Sequence, residues 1–379
     1  MKILYPIGTL YPSQAGGPSN TIYWMAKALV CKGIEVSIAT TNIGAEKLVA
    51  PNRWLSTDYG NVIYHTTTSA QLPLHLIMTA VRLVRSHDCV HLTSLFHPPS
   101  FIVAAVASLL KKPILWSCRG NLDEQALIFG TWKKRPVLWL IKKFLSGPRV
   151  TFHATSPEES EHIRKTIGSA ARVVEIPNFL ELPENLPHIG ENPPYLLYVG
   201  RIHPVKALDN LLAALALSKQ FLDSDFVLKI VGDDDNIHAA QLKKQTTELG
   251  LQHKIQFLGH IEGDEKQRLY AGAYFSILTS HTENFGNVVI ESLAQGTPVI
   301  ASKGTPWEML EAEKTGFWTS NRPEDLANTI DKTLNLAPNI YRIYREKSIS
   351  LARQHFDIES NVDVWIKTYK SLLNLSKPF

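Results

Sequence analysis

Residues 274–301 read YFSILTSHTENFGNVVIESLAQGTPVIA, and this stretch decides the fold class. Residues 274–278 form a short apolar run, which predicts a buried strand. A polar loop then leads into an amphipathic stretch at 287–295, which predicts a helix that stops before Gly296. Residues 298–301 predict a second strand. A strand, a helix and a strand in this order indicate two parallel strands joined by a crossover helix.

The same alternation runs outward from this segment through the whole chain. Further strands are predicted at residues 2–8, 34–40, 61–66, 88–93, 113–117, 150–154, 172–176, 195–199, 226–231 and 254–258. Further helices are predicted near residues 18–32, 72–85, 99–110, 135–146, 157–167, 206–218, 238–249, 264–272, 323–336, 340–354 and 359–374. The proline-rich stretch 177–194 is the best linker candidate. The fold class is therefore α/β, with two doubly wound, Rossmann-like domains that face each other across a cleft.

Composition narrows the functional classes. Hydrophobic residues make up 44% and charged residues 20% of the 379 residues, which excludes a disordered or fibrous chain. Three scattered cysteines argue against a disulfide framework and favour a reducing compartment. The sequence has no recognition-helix, zinc-finger or RNP pattern. We therefore expect a cytoplasmic protein without a nucleic-acid partner.

Positive charge is concentrated in the first half of the chain. Residues 1–185 carry a net charge of +7, against +4 for the whole chain. The sharpest cluster, residues 133–145, interleaves lysines and an arginine with Trp139 and other apolar residues at helical spacing. This pattern is typical of a helix that lies on an anionic membrane surface, which would make the protein peripheral on the inner face of the membrane. It is equally typical of a core helix with solvated lysines.

In each domain, a glycine-containing turn follows the first predicted strand. Gly16 and Gly17 open the first helix, where glycines allow a phosphate to approach the backbone and the helix N-terminus offers free N–H groups. In the second turn, Arg201 follows Gly200 and Lys206 closes the turn, so two cations could neutralise a diphosphate. Plain turns with solvated cations are the alternative for both patterns.

Two glutamates frame the helix of the segment quoted first. Glu283 is expected in the loop before the helix and Glu291 about one turn inside it, so both carboxylates could face a ligand. The backbone N–H groups of residues 285–288 would be free at the helix N-terminus and could bind phosphates or sugar hydroxyls. Carboxylate pairs usually mark solvated helix ends, but a loop glutamate beside Phe285 and Gly286 is unusual.

These motifs together resemble the retaining glycosyltransferases of family 4, which have the GT-B fold. The resemblance rests on the two glutamates, the segment 283–301 and the turn from Gly200 to Lys206, and it extends over nearly the whole chain. Residues 119–127 and the tetrapeptide Thr305-Pro306-Trp307-Glu308 resemble a subgroup of bacterial cell-surface polysaccharide enzymes.

The resemblance implies three structural parts. Residues 1–186 would form a Rossmann-like, acceptor-binding domain. Residues 187–356 would form a Rossmann-like domain that binds the nucleotide-sugar donor. Residues 357–379 would form a C-terminal helix that crosses back to the first domain. The implied activity is hexosyl transfer, with retention, from a nucleotide-diphosphate sugar to a glycan or lipid-linked saccharide. UDP is the commonest donor nucleotide, and the implied process is cell-surface polysaccharide or lipopolysaccharide synthesis.

The resemblance also implies a role for each matching residue. Arg201 and Lys206 would bind the diphosphate and, with Glu283, form the catalytic group. The implied donor-binding residues are Gly16, Gly17, Arg119, His260, Ile261, Asn284, Phe285, Gly286, Asn287, Val288 and Glu291. Glu291 would bind the ribose, and residues 283–286 would hold the donor sugar. Many family members have His-Gly where this chain has Arg119-Gly120.

The sequence leaves three alternatives to consider, which are a bound metal ion and two other enzymatic activities. Asp233 and Asp235 could hold a metal against a diphosphate, but carboxylates crowded in a turn usually stay solvated. Cations and a helix N-terminus can replace a metal's charge, so we expect no metal and no other cofactor. A nucleotide-sugar epimerase would need an acid and a base at the sugar carbon, and no such pair is evident. A NAD-dependent dehydrogenase would need a compact GxGxxG, which the chain lacks.

Overall fold

The computed structural model describes residues 1–379 except 14–16, 124–125, 128–130, 189, 191 and 375–379, and it leaves out the side chains of residues 131 and 133. The chain forms two compact units. Unit 1 comprises Met1–Glu181 with Ile358–Phe379, and unit 2 comprises Leu182–Asp357. The sequence placed the domain boundaries after residues 186 and 356. No helix in the described part of the chain is long and apolar enough to cross a membrane.

Unit 1 is built on one sheet. Its strands are β1 (Lys2–Pro6), β2 (Glu35–Thr41), β3 (Trp54–Thr57), β4 (Gly60–His65), β5 (Cys89–Thr93), β6 (Ile114–Ser117), β7 (Val150–Ala154) and β8 (Val173–Glu175). Its first helices are α1 (Gly17–Cys31), α2 (Leu74–Leu83), α3 (Pro98–Leu109), α4 (Thr131–Phe144) and α5 (Pro157–Ile167), with a 3₁₀ turn over Val84–Ser86. The strand order is β3-β4-β2-β1-β5-β6-β7-β8.

Helices cover both faces of this sheet, as the continuous apolar runs of its strands require. Every residue of β5, β6 and β7 is buried. Successive residues of β1 point to opposite faces, because side chains alternate along a strand. Tyr5 belongs to a core cluster that includes Met25 of α1, whereas Leu4 belongs to a second cluster with Val103 of α3.

The edge of the sheet departs from the sequence-based expectation. β3 pairs antiparallel with β4, with Thr57 opposite Gly60, whereas the other pairs are parallel. β3 was not predicted because this short edge strand alternates half-buried and exposed residues and lacks an apolar run. Gly60 is required in the turn, since its φ is 115° and a Cβ would lie 2.5 Å from the carbonyl oxygen of Val36.

Unit 2 repeats the doubly wound plan with parallel strands. The strands are β9 (Tyr195–Val199), β10 (Val227–Val231), β11 (Ile255–Phe257), β12 (Phe275–Leu278), β13 (Val299–Ser302) and β14 (Gly316–Thr319), in the order β11-β10-β9-β12-β13-β14. After a 3₁₀ turn at Pro204–Lys206, the helices are α6 (Leu208–Leu217), α7 (Lys219–Asp223), α8 (Ile237–Glu248), α9 (Gly263–Gly272), α10 (Asn287–Ala294), α11 (Met309–Ala312), α12 (Pro323–Leu334) and α13 (Pro338–His355).

Three short elements of unit 2, α7, α11 and β14, are absent from the sequence-based prediction. The two helices are too short to show a helical period. β14 starts with Gly316 and ends with Thr319, so it lacks the apolar run that marks the other strands. Gly316 is tightly enclosed, because a Cβ there would lie 1.9 Å from the carbonyl oxygen of Val299 on the paired strand.

The last helix, α14 (Ile358–Asn374), belongs to unit 1. Its apolar stripe, Val362, Trp365, Tyr369 and Leu372, lies in the same core cluster as Tyr5 and other residues of β1 and α1. The stripe follows the three- and four-residue spacing that places side chains on one helix face. The chain's last helix therefore completes the core of the unit in which the chain begins.

Hydrogen bonds between buried polar side chains link α14 to four strands of unit 1, β1, β5, β6 and β7. The chain of contacts, here called the histidine network, runs Tyr5–Tyr369 (2.6 Å), Tyr369–His91 Nδ1 (2.7 Å), His91 Nε2–Ser117 (2.7 Å), Ser117–His153 Nδ1 (2.7 Å) and His153 Nε2 to the Ile176 carbonyl (2.8 Å). Burial lowers the pKa of His153 to about 3, with the charge of Arg119 as a second cause, and burial also holds the pKa of His91 well below its usual range.

The last acceptor fixes the direction of every proton in this network. A carbonyl oxygen only accepts, so His153 Nε2 must donate to it, and in the neutral ring Nδ1 must then accept. Ser117 therefore donates to His153 and accepts from His91 Nε2. By the same step, Tyr369 donates to His91 Nδ1 and accepts from Tyr5.

Candidate functional site

The best-defined polar site of unit 2 lies where its strand order reverses. β9 has β10 on one side and β12 on the other, so the loops that leave β9 and β12 diverge at the carboxyl edge of the sheet. Such a switch point is where ligands bind in doubly wound sheets. The two loops, residues 200–206 and 279–286, carry both predicted diphosphate-binding cations, Arg201 and Lys206, and the predicted sugar-binding residues 283–286.

The turn after β9 is fixed by close backbone contacts. A Cβ on Gly232, which follows β10, would lie 2.1 Å from the carbonyl oxygen of Gly200, so the two turns touch through their backbones. The Tyr198 hydroxyl donates to the carbonyl oxygen of Arg201 at 2.9 Å. The side chain of Arg201 is exposed to solvent. The turn thus presents a cation at the switch point on a rigid backbone.

Lys206 and Glu283 form an ion pair across the switch point. The Lys206 ammonium donates to Glu283 Oε2, and the two side chains are only 12% and 20% exposed. Ser280 donates to the same carboxylate oxygen at 3.2 Å. Thr279 also ties the two loops together, because its hydroxyl donates to the Lys206 carbonyl at 2.8 Å. The ion pair therefore links the residue predicted to bind the diphosphate, Lys206, to the residue predicted to bind the sugar, Glu283.

Gly286 fixes the junction between the loop and α10. It caps α10 in the left-handed region, with φ 85°, and a Cβ there would lie 2.9 Å from Leu278 Cδ2 and 3.3 Å from Glu283 Cγ. The neighbouring Phe285 is buried against Trp307, whose indole Nε1 donates to the Phe285 carbonyl at 2.5 Å. These contacts anchor the loop that carries Glu283.

The remaining predicted residues of this loop flank the start of α10. Asn284 lies between Glu283 and Phe285, and Asn287 and Val288 are the first two residues of the helix. All three are half-buried. Backbone N–H groups at the start of a helix have no intrahelical acceptor, so this end of α10 suits an anion or a hydroxyl oxygen.

Glu291 lies in the second turn of α10 and is held by two side chains of α9. The Lys266 ammonium lies 3.2 Å from both carboxylate oxygens, and the Tyr270 hydroxyl donates to Oε2 at 3.1 Å. Burial raises the pKa of Tyr270 well above its usual range, and the Glu291 charge adds to this shift, so Tyr270 keeps its proton and acts as a donor. The ionised carboxylate retains free lone pairs for further donors.

Lys266 and Tyr270 were missed by the sequence analysis. They are four residues apart on α9, so they share one face of the helix, and that spacing is readable from the sequence. What the sequence lacks is any sign that this face turns toward Glu291. The same region contains Ile261, which packs against a cluster that includes Tyr270, whereas His260 is exposed and pairs with Glu262.

The aspartates after β10 form a turn. Asp233 Oδ1 accepts from the backbone N–H of Asp235 at 3.2 Å, and Asp234 pairs with Lys243 of α8 at 2.6 Å. Within the described ranges, no group of three or more His, Cys, Asp or Glu side chains is arranged to hold a metal ion.

Unit 1 has its own concavity at the corresponding switch point, between β1 and β5. Its volume is about 320 Å³. It is lined by Ile7, Gly8, Thr9, Pro18, Ser19, Thr93, Ser94, His97, Arg119 and Asn121. Gly17 begins α1 beside this surface, and Gly16 lies outside the described residues. Of the predicted site residues of unit 1, Arg119 therefore lines this concavity, and it is described further below.

Comparisons with known proteins classify both units. Residues 16–178 match the family described as glycosyl transferase 4-like domain, and residues 185–373 match glycosyl transferases group 1. An uncharacterised glycosyltransferase of Methanocaldococcus jannaschii is 31% identical over 142 residues, which cover 37% of this chain and 35% of that protein. Alignments with other curated relatives span from 26% to 43% of their lengths.

Two solved structures resemble the whole chain. The HepE protein of Anabaena, in complex with UDP and glucose, has a TM-score of 0.75 at 21% identity and covers 98% of this chain and 100% of its own. Sucrose-phosphate synthase of Thermosynechococcus elongatus has a TM-score of 0.74 at 20% identity, with 98% and 99% covered. At these identities the likeness establishes the fold alone. Together with the two family matches, it shows that the chain belongs to the GT-B glycosyltransferases.

Proposed function

We propose that this chain is a retaining hexosyltransferase that moves a sugar from a nucleotide-diphosphate sugar to a glycan or lipid-linked saccharide. The proposed donor nucleotide is UDP, and the proposed process is cell-surface polysaccharide synthesis. The observation that carries the proposal is the arrangement of Glu283 and Glu291, each held by a lysine, on either side of the start of α10.

This arrangement supplies what a nucleotide sugar needs. Glu291 offers acceptor lone pairs for ribose hydroxyls, and Lys266 and Tyr270 fix its orientation. Glu283 offers a second acceptor for sugar hydroxyls. Arg201, Lys206 and the N-terminus of α10 offer positive charge for a diphosphate. The complex of HepE with UDP and glucose supports UDP as the nucleotide.

The charge that develops in the reaction lies on the leaving phosphate. Breaking the bond from the anomeric carbon to the diphosphate gives an oxocarbenium-like sugar, and fixed cations near the phosphate stabilise this transition state. In the proposed front-face route, the leaving phosphate takes the proton of the acceptor hydroxyl, so no separate protein base is required. We propose that Arg201 and Lys206 take the place of a metal ion in this step.

We further propose that α4 lies on an anionic membrane surface. Ile141 anchors the helix in the core of unit 1, while Trp139 and Phe144 are 56% and 57% exposed. The Lys143 ammonium lies 5.0 Å from the Trp139 ring centroid and 5.4 Å from that of Phe144. Exposed aromatic rings with adjacent lysines suit the interface between headgroups and acyl chains.

The first test is thermal unfolding with UDP, GDP, ADP and NAD, each in EDTA and then with magnesium. A ligand that binds the folded state raises the unfolding midpoint by mass action. We expect UDP to raise the midpoint in EDTA. A rise only with magnesium would return Asp233 and Asp235 to consideration as metal ligands, and a rise only with NAD would contradict the proposed activity.

The stereochemistry is tested on the product. We expect NMR of the newly formed glycosidic bond to show the anomeric configuration of the donor. An inverted configuration would overturn the front-face route. Interconversion of nucleotide sugars without an acceptor would instead identify an epimerase.

A further inference from the structure

The loop after β6 holds an arginine in an unusual backbone conformation. Arg119 has φ 55° and Gly120 has φ 73°, so two consecutive residues adopt the left-handed region, which disfavours every residue except glycine. The turn is held by the Gly120 N–H, which donates to Glu159 Oε1 at 2.6 Å. Arg119 is one of the residues that line the unit 1 concavity.

One corner of the Arg119 guanidinium is held by a neighbouring side chain. Its Nη1 donates to Asn178 Oδ1 at 2.5 Å. Its Nε and Nη2 are buried and have no hydrogen-bond partner. These two nitrogens lie on the same edge of the guanidinium plane and form the fork that binds a carboxylate or a phosphate through two parallel hydrogen bonds.

No nearby carboxylate uses this fork. The charge of the Glu159 carboxylate favours the protonated form of Arg119. Both oxygens of this carboxylate, however, already accept hydrogen bonds from other donors. Oε1 accepts from Gly120, and Oε2 accepts from the N–H and hydroxyl of Thr155 at 2.7 and 2.9 Å. A buried cation with unused donors is costly unless a ligand completes it.

The rest of the concavity also favours an anion. Its lining has no aspartate or glutamate, and Thr9, Ser19 and Thr93 contribute hydroxyl groups, whereas the Ser94 hydroxyl already donates to Asn121 Oδ1 at 2.7 Å. His97, at the N-cap position of α3, also lines the concavity. Burial lowers the pKa of His97, so its ring is neutral at pH 7 and leaves Arg119 as the cation of the site.

We propose that the unit 1 concavity binds a sugar that carries an anionic group, a carboxylate or a phosphate, and that Arg119 recognises this group through Nε and Nη2. This inference rests on the proposed function, because it names the class of substrate that the glycosyltransferase takes. The anionic group belongs either to the transferred sugar or to the acceptor. Because both nitrogens are buried, the ligand reaches them only when the groups that cover them move.

The test measures how anions change the thermal unfolding midpoint of the full chain. The probes are inorganic phosphate, glucuronate and glucose 6-phosphate, with chloride at matched ionic strength and neutral glucose as references. We expect the anionic probes to bind roughly tenfold more tightly than glucose, because a charge-assisted pair of hydrogen bonds is gained. We expect R119Q to bring the preference to within about twofold.

Two further variants separate recognition from folding. R82Q removes an exposed arginine of α2 and should keep the full preference for anions. R119K keeps the charge but loses the fork, so it should fold and retain only part of the preference. If R119Q does not fold, NMR of the arginine Nε–H groups provides the readout. The Arg119 resonance is the one that is absent from R119K, and we expect glucuronate to shift it in the wild-type chain.

The source of the anion is resolved with nucleotide sugars. Tighter binding of UDP-glucuronate than of UDP-glucose, lost in R119Q, would assign the anion to the donor. A preference seen only with the free anionic sugars would assign it to the acceptor. Equal binding of anionic and neutral probes in the wild type, or the same preference in R119Q, would overturn the proposal. Nucleotide binding is unaffected by that outcome, so the proposed function is judged separately.

Discussion

The ammonium group of Lys206, at the end of the turn after β9, donates a hydrogen bond to the carboxylate of Glu283, in the loop before α10. The two residues are 77 positions apart and meet because β9 and β12 are neighbours in the sheet. An ammonium has three N–H donors, so two remain for phosphate oxygens while one stays on Glu283. The pair therefore couples the diphosphate to the residue expected to hold the sugar.

This coupling predicts non-additive effects of substitution on nucleotide binding. K206M should weaken binding of the preferred nucleoside diphosphate roughly tenfold, because a charge-assisted contact is lost and Glu283 is left unpaired beside the phosphates. E283Q should leave this binding unchanged or tighten it, while sugar transfer falls. The double variant K206M/E283Q should recover part of the affinity that K206M loses. Calorimetric titration of all four proteins measures the coupling.

The matched control is K219M, which removes an exposed lysine of α7 in the same unit. It should bind the nucleotide as the wild type does. Strictly additive losses in the double variant would show that Lys206 and Glu283 act on the ligand independently.

Glu291 predicts a specific dependence on ribose hydroxyls. E291Q should weaken binding of the preferred nucleoside diphosphate roughly tenfold, because a charged acceptor for the ribose is lost. It should leave the affinity for the 2′,3′-dideoxy analogue unchanged, since that analogue has no hydroxyl to donate. Y270F, which keeps the carboxylate and removes one hydrogen bond to it, should weaken nucleotide binding by only about threefold. An equal loss for both nucleotides in E291Q would place the ribose elsewhere.

Local patterns predicted most of the fold, because the strands are apolar and the helices amphipathic over long stretches. They also placed Glu283 in a loop and Glu291 one turn into a helix, as the structure has them. They failed at β3 and β14, where edge strands carry polar residues or a glycine in place of an apolar run.

The contacts that hold the site could not be predicted in the same way. Lys266 and Tyr270 share a helix face, but only the packing of α9 against α10 directs that face to Glu291. The histidine network joins residues on separate strands and on the last helix, and no sequence spacing indicates this. Long-range partners follow from strand order, which local periodicity does not encode.

The histidine network predicts an acid-sensitive unit 1. In the folded chain His153 has a pKa of about 3, and the pKa of His91 is also lowered, whereas both titrate near 6.5 when unfolded. The unfolded state therefore binds more protons below pH 6.5. The free energy of unfolding should fall by about 1.4 kcal/mol per pH unit for each histidine between pH 6.5 and the folded pKa. Above pH 6.5 this contribution is fully present.

The measurement is the free energy of unfolding by denaturant at a series of pH values from 7 to 4. Amide exchange in β5–β7 then reports on unit 1 in particular. H153Q should flatten the dependence of the unfolding free energy on pH by the share of one histidine. Y369F should destabilise unit 1 by about 1–3 kcal/mol, because it leaves His91 Nδ1 without its donor. Y5F keeps that donor and should cost less. A pH profile identical in H153Q and the wild type would show that His153 does not carry the effect.

The basic residues of the α4 sequence predict binding to anionic vesicles. Replacing Lys133, Lys134, Lys142 and Lys143 with glutamine should weaken co-sedimentation with phosphatidylserine vesicles, since each basic residue near the surface contributes about 1 kcal/mol. The control replaces Lys32, Lys47, Lys111 and Lys165, exposed lysines elsewhere in unit 1, and should retain binding. Equal loss in both variants would indicate a net-charge effect, and unchanged co-sedimentation of the α4 variant would remove the membrane proposal.

Gly286 predicts how far the site depends on the geometry of its loop. In G286A the new methyl group would meet Leu278 and Glu283 at a backbone conformation that alanine disfavours. Gly250 has a similar φ of 72°, but a Cβ there would meet nothing within 4 Å. G250A therefore incurs the backbone strain alone, about 1 kcal/mol, and should keep full activity. We expect G286A to lose more stability than G250A and at least tenfold in sugar transfer, because Glu283 is displaced from Lys206. Unfolding midpoints and transfer rates of the two variants, measured side by side, decide this, and equal behaviour would show that the site tolerates movement of the loop.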